Sequence, residues 1–219
     1  VPTGELLAFG LAHARARDAV HAQLKAEEIV AAFRSMNCQV QVVNSKAPDR
    51  ATYLRRPDLG RRLSDEMQLN EIPKPIAFAI VDGLSALAVQ RHAAPLVREL
   101  VALAPQRWAG ASAVVALQGR VALGDEIGER LGAQLVVVLI GERPGLSSPD
   151  SLGAYLTFAP RVGRTDAERN CVSNIRPEGL GYEAAARRID WLAAAALARG
   201  LTGVGLKDES AGSGRALPA

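Results

Sequence analysis

The sequence predicts an α/β fold: a doubly wound, mostly parallel sheet of Rossmann-like type, preceded by an N-terminal helical segment. Three observations carry this. The runs IAFAIV, SAVVAL and LVVVLI are apolar throughout, as strands are when both faces of a parallel sheet are covered. They alternate with amphipathic stretches of roughly ten to fifteen residues, the pattern of β-α-β units. Glycine follows each run within a few residues, so the chain turns sharply at the strand ends, and right-handed crossovers would then build an open sheet.

Taken in order, Leu6 to Phe33 is alanine-rich and helix-prone, with the Gly10 region or Asp18 expected to divide it into two helices. CQVQVVNS alternates like a strand and closes in an Asn-Ser-Lys-Ala-Pro-Asp turn. RRPDLGRRLSDEM follows as a capped, charge-rich segment. IPKPIAFAIVDGLSALAVQRHAAPLVRELVAL reads as buried strand, Asp-Gly turn and long amphipathic helix. SAVVALQGRVALGDEIGERLGAQLVVVLIGERPG repeats strand, glycine turn, helix and strand. AYLTFAP and RNCVSNIR are shorter strands, and Tyr182 to Gly200 is an alanine-rich helix. The expected organisation is a helical segment over 1–34, an α/β domain over 35–206 and a flexible tail over 207–219, where no apolar period remains.

Composition narrows the function classes. Over 219 residues, 48% are hydrophobic and 22% charged, which is globular chemistry with enough apolar surface for a core. Aromatics are only 4%, so Ala, Val, Leu and Ile must build that core. No apolar stretch approaches the roughly 20 residues that cross a bilayer, and no basic-then-apolar leader opens the chain. The first residue is Val1 and not Met, from which a removed N-terminal extension is expected. The net charge of +3 is spread among acidic neighbours, with few aromatic platforms, which argues against a nucleic-acid partner. Cys38 and Cys171 form no CxxC pair and no metal-ligand spacing; they read as two reduced thiols of a cytoplasmic protein.

Ligands of such sheets bind at the carboxyl ends of the strands, and VDGLSAL, LQGRVALGDE and LIGERPGLSSPDS share that address. Gly119 and Gly124 have the separation of a phosphate loop, but Asp125 and Glu126 stand where Lys-Ser/Thr would be, and their charge would repel an anion. Ser85 half resembles a hydrolase nucleophile with His92 close by; a helix cap explains it better. His13, His21 and His92 share no ligand spacing, so neither a metal ligand nor a catalytic group is expected from this chain. The arginines of YLRRPDLGRRLSDE, interleaved with Pro57, Leu59 and Leu63, favour a protein interface. Glu142 follows a strand that should be central. It is expected either to pair with an arginine such as Arg143 or to accept N–H groups of a neutral, amide-rich ligand.

Three stretches carry a family resemblance. SKAPDRATYLRRPDLGRRLSDE, QGRVALGDEIG and VLIGERPGLSSPDSLGAYLTFAPRVGRTDAERNCVSNIRPEGL closely resemble the light (small) chain of bacterial ethanolamine ammonia-lyase. The likeness runs from about Leu6 to Leu197 and is most specific from Val138 to Leu180. It implies a carbon–nitrogen lyase that converts ethanolamine to acetaldehyde and ammonia with adenosylcobalamin. The large subunit holds the substrate, and the light chain helps to bind and enclose the cobalamin. It makes 35–206 a cobalamin-binding domain and Val121, Glu142 and Cys171 its cofactor-binding residues. Because none of the three strand-end loops contains a histidine, the cofactor is expected to keep its own benzimidazole base on cobalt. The implied setting is a hetero-oligomer in the bacterial cytoplasm or in a microcompartment there, without nucleic acid or membrane. The alternative is a self-contained α/β binding module for a small polar metabolite.

Overall fold

The computed structural model describes residues 2–70 and 75–210. The chain opens with α1 (Thr3–His21) and α2 (Ala26–Arg34), then β1 (Val40–Asn44) and the short α3 (Arg50–Arg55). The two repeated units follow: β2 (Ile76–Val81), α4 (Ala86–Leu103) and α5 (Pro105–Trp108), then β3 (Ser112–Leu117), α6 (Leu123–Leu131) and β4 (Leu135–Gly141). β5 (Leu152–Phe158), β6 (Asn170–Ile175) and α7 (Tyr182–Arg199) complete it.

Every residue of β2 and β4 is buried, which is why these strands contain no polar alternation. They sit at the centre of one six-stranded sheet, in the order β1-β3-β2-β4-β5-β6. The expected parallel pairing holds for β1, β3, β2 and β4. β5 and β6 pair antiparallel. The cause lies in the connection: no helix lies between Gly141 and Leu152 to carry the chain back to the far end of the sheet, so β5 must return alongside β4.

Both faces are covered. Phe33 of α2, Leu96 of α4, Trp108 of α5 and Ile189 of α7 pack with Phe78 and Val137 on one side. Leu123 and Ile127 of α6 pack with Ala79 and Val138 on the other. The scarce aromatics are concentrated in the first core, where the Phe78 and Trp108 rings stack at 5.5 Å.

Two expectations need correction. α1 runs past Gly10 and Asp18 without a break, and the chain leaves the helix only at Ala22. Nothing lies within 4 Å of the position a Gly10 Cβ would take, so this glycine sits on an open helix surface and weakens the helix without ending it. The cap of the charge-rich segment falls earlier than expected: Asp49 accepts from Thr52 N at 2.7 Å and starts α3, whereas the 3-10 turn Leu59–Arg61 has no side-chain cap. Of the expected tail, 211–219 lie outside the described residues. Among those described, no helix is long and apolar enough to cross a membrane.

Candidate functional site

The chain leaves β2 toward α4 on one face of the sheet and leaves the adjacent β3 toward α6 on the other. Diverging loops of this kind open a crevice at the carboxyl ends of the strands. Here the crevice is a cavity of about 250 Å³. Gly83 and Leu84 reach it from β2, Arg120 and Val121 from β3, and Gly141, Glu142 and Arg143 from β4. Tyr53 of α3 and Tyr155 of β5 complete the walls. The three strand-end loops therefore line one cavity.

Packing explains the glycines between them. A Cβ on Gly141 would lie 1.9 Å from Ser85 O, and one on Gly83, whose φ is +58°, would lie 2.3 Å from Gly141 O. The loops after β2 and β4 close directly on each other's backbone. A buried carboxylate secures the loop after β3: Asp82 accepts from Gln118 N at 2.9 Å and Gly119 N at 3.0 Å. Burial pushes the Asp82 pKa up, while those two amides and Arg50, 3.7 Å away, pull against it. Arg50 also donates to Val20 O and to Gly83 O, both at 2.7 Å, tying the end of α1 to the same edge. Tyr53 is fully buried and donates to Gly119 O at 2.9 Å; burial pushes its hydroxyl up to about 12. The guanidinium carbons of Arg50 and Arg120 lie 4.8 and 4.5 Å from its ring centroid.

Of the residues singled out from sequence, Val121 and Glu142 line the cavity, while Cys171 does not and is the cross-strand neighbour of Tyr155, which does. The Glu142 amide donates to Ser151 O at 2.9 Å, and its Oε2 accepts from the Ser151 hydroxyl and from Asn174 N at 3.4 Å. Among the described residues Glu142 forms no ion pair with Arg143, so that alternative is not the one realised. Oε1 lies over Gly153, where a Cβ would come within 2.9 Å of it, and takes no protein hydrogen bond among the described residues. Cys171 pairs with Tyr155 across β5 and β6. Although Cys171 as a residue is exposed, its thiol is sheltered enough that desolvation raises its pKa. Desolvation and the neighbouring thiol raise Tyr155 as well.

Other constellations come apart. Ser85 accepts from Ala88 N at 3.3 Å and donates to Pro149 O at 2.9 Å, as a helix cap does. His92 is instead held by Tyr182, with Nδ1 2.7 Å from the hydroxyl. Asp125 is spent on a buried ion pair with Arg169, and Glu126 accepts from Arg62 and Leu63 N, both at 2.9 Å, and from Arg130 at 2.6 Å. The carboxylates expected to repel an anion are thus neutralised. Gly124 belongs to α6 itself, where a Cβ would lie 2.2 Å from Val138 Cγ2, so it allows helix and sheet to approach. A larger hollow of about 370 Å³ lies beside these pairs, lined by Arg61, Arg62, Asp125 and Arg164, and contains none of Val121, Glu142 and Cys171. Among the described residues no cluster of three His, Cys, Asp or Glu side chains could hold a metal ion.

Sequence reading passed over Asp82, Tyr53, Arg120 and Tyr155. A signal existed for Asp82, a carboxylate ending a wholly apolar run, and for Tyr53, one of only three tyrosines. Tyr155 needed the antiparallel register of β5 before it could be placed.

Residues 1–207 match the family model described as ethanolamine ammonia-lyase light chain (EutC). The chain belongs to the ethanolamine ammonia-lyase light-chain family. Among its relatives in that family, the ethanolamine ammonia-lyase small subunit of Bradyrhizobium diazoefficiens is 56% identical over 218 residues, covering 96% of this chain and 84% of its own. The small subunit of Xanthomonas campestris pv. campestris strain B100 is 52% identical over 219 residues, covering 96% and 80%. That of Azotobacter vinelandii is also 52% identical over 219 residues, covering 96% and 81%. Light-chain membership implies a lyase whose small subunit works beside a large one.

Proposed function

We propose that this chain helps to bind and enclose adenosylcobalamin in an ethanolamine ammonia-lyase whose large subunit holds the amino alcohol. Its sheet serves as a Rossmann-like, doubly wound platform, with the cofactor against the carboxyl edge. When bound, adenosylcobalamin supplies the radical chemistry by which ethanolamine becomes acetaldehyde and ammonia. The complex works in the bacterial cytoplasm or in a microcompartment within it.

The observation that supports this reading is the state of Glu142. Glu142 lines the cavity, two protein donors fix its Oε2, and its Oε1 takes none among the described residues. A corrin ring carries a fringe of acetamide and propionamide groups, and an anchored carboxylate with a free oxygen is an acceptor for their N–H bonds. Val121 adds a small apolar face on the neighbouring loop. Cys171 backs Tyr155 on β5 and fixes that wall of the crevice. The cavity is small, so it receives one edge of a ligand that the large subunit covers from the other side.

Reconstitution tests this. Acetaldehyde release from ethanolamine should require this chain, the large subunit and adenosylcobalamin together. Turnover by this chain alone with added cofactor, or full turnover by the large subunit without it, would refute the assignment. A chain that never co-purifies with the large subunit and binds a small polar metabolite by itself would favour a stand-alone binding module.

A further inference from the structure

Arg120 is a charged group of the cavity that meets no opposite charge among the described residues. It lines the cavity next to Val121, yet among the described residues it takes part in no ion pair, and its Nε is buried without a hydrogen-bond partner. A buried guanidinium N–H left unmade is costly unless something else accepts from it. The guanidinium is also held in place: its carbon lies 4.5 Å from the centroid of Tyr53, and that ring is locked by its bond to Gly119 O. The backbone is fixed too, with Arg120 N donating to Gly60 O at 2.8 Å. Three nearby carboxylates are matched: Asp82 by Arg50 and two amides, and Asp125 and Glu126 by arginines of their own. Glu142, anchored through Oε2 by Ser151 and Asn174, forms no ion pair with Arg120 among the described residues. With Arg143 exposed on the same rim, the cavity holds two arginines against one glutamate. Such a site calls for a single anion with planar, forked geometry, as a phosphate oxygen pair provides.

We propose that Arg120 is an anion-binding residue that holds the phosphodiester of the cobalamin nucleotide arm. This rests on the cobalamin reading above and deepens it: Glu142 takes the amide fringe of the ring, and Arg120 takes the charge on the arm below it.

The test compares cyanocobalamin with cobinamide, a corrinoid that has the ring and its amides but lacks the phosphodiester, ribose and base. Dissociation constants are measured by visible absorption on the complex of this chain with its large subunit. Arg120→Ala should weaken cyanocobalamin roughly tenfold or more. Cobinamide binding should be unchanged, which also shows that the variant complex is intact. Arg120→Lys should recover part of the loss because it restores the charge, whereas Arg120→Gln, which can stack and donate but is neutral, should not. Equal weakening of both corrinoids, no weakening of either, or full retention by Arg120→Gln would overturn the phosphodiester assignment while leaving a cobalamin site. Failure of the unaltered complex to bind either corrinoid would remove the cobalamin reading itself, and this inference with it.

Discussion

A carboxylate at the mouth of a buried strand has two fates, neutralisation by a cation or use as an acceptor, and Glu142 has the second. Its Oε2 is held by Ser151 and Asn174, which fixes the side chain without consuming Oε1. Glu142→Ala should therefore weaken cobalamin binding by the complex roughly ten- to hundredfold, since a hydrogen bond to a charged group contributes about 1.5–3 kcal/mol. Equilibrium titration followed by the corrin absorption checks this; an unchanged constant would return Glu142 to a purely structural role. Cys171→Ser should cost less than about tenfold, because Cys171 does not itself line the cavity and only pairs across the strands with Tyr155, which does. Glu142 was legible in the sequence because an apolar run stopping at Gly-Glu-Arg-Pro-Gly places it at an edge. Its partner was not: whether Arg143 or Ser151 answers the charge depends on β5 folding back beside β4, which no spacing encodes.

Elements meet at this edge backbone to backbone, and that is where substitution should be least tolerated. Adding a Cβ to Gly141 forces it to 1.9 Å from Ser85 O and 2.8 Å from Asp82 O, neither of which can move without disturbing β2 or the start of α4. Gly132, the left-handed cap of α6 at φ +69°, has nothing within 4 Å. Gly132→Ala should thus cost about 1 kcal/mol of backbone strain, and Gly141→Ala more than about 3 kcal/mol, measured as the change in unfolding free energy in urea. Equal costs would mean that the two loops give way easily. β2, β3 and β4 were readable because burial on both faces leaves uninterrupted apolar runs, and the edge strand β1 was readable by its alternation. The direction of β5 and β6 was not, since residue alternation is the same in parallel and antiparallel strands. The gap between α1 and α2 was also hidden, because Gln23, Leu24 and Lys25 include no helix breaker.

Across the whole molecule, the cavity is a product of topology: Tyr53, Gly83, Arg120, Glu142 and Tyr155 meet only once β2 lies between β3 and β4. Opposite α6, α4 and α7 are joined by His92, whose Nδ1 lies 2.7 Å from Tyr182 Oη and whose other nitrogen is 3.4 Å from Asp150. Burial pushes the His92 pKa below its ordinary value, with Asp150 opposing and Arg91 adding to the shift. The unfolded chain therefore takes up the proton first, and stability should fall as pH drops below about 6.5, by at most about 1.4 kcal/mol per pH unit. Urea midpoints between about pH 7.5 and 5.5 should show this slope, and His92→Gln should flatten it; an unaltered slope would place the titrating group elsewhere. Histidine placement also bears on how cobalt is held. None of the residues lining the cavity is a histidine: His92 is engaged within α4, His13 lies midway along α1, and His21 ends that helix. His21 is the nearest to a contrary case, because Arg50 ties the preceding Val20 carbonyl and Gly83 O to one another. We expect this chain to donate no ligand to cobalt, so that the cofactor keeps its own benzimidazole base. Electron paramagnetic resonance of the cob(II)alamin state in the reconstituted complex, with this chain alone carrying nitrogen-15 histidine, reads the axial nitrogen directly. The hyperfine pattern should be identical with and without the label; a change from a nitrogen-14 to a nitrogen-15 splitting would mean that a histidine of this chain holds the metal, with His21 the first to replace.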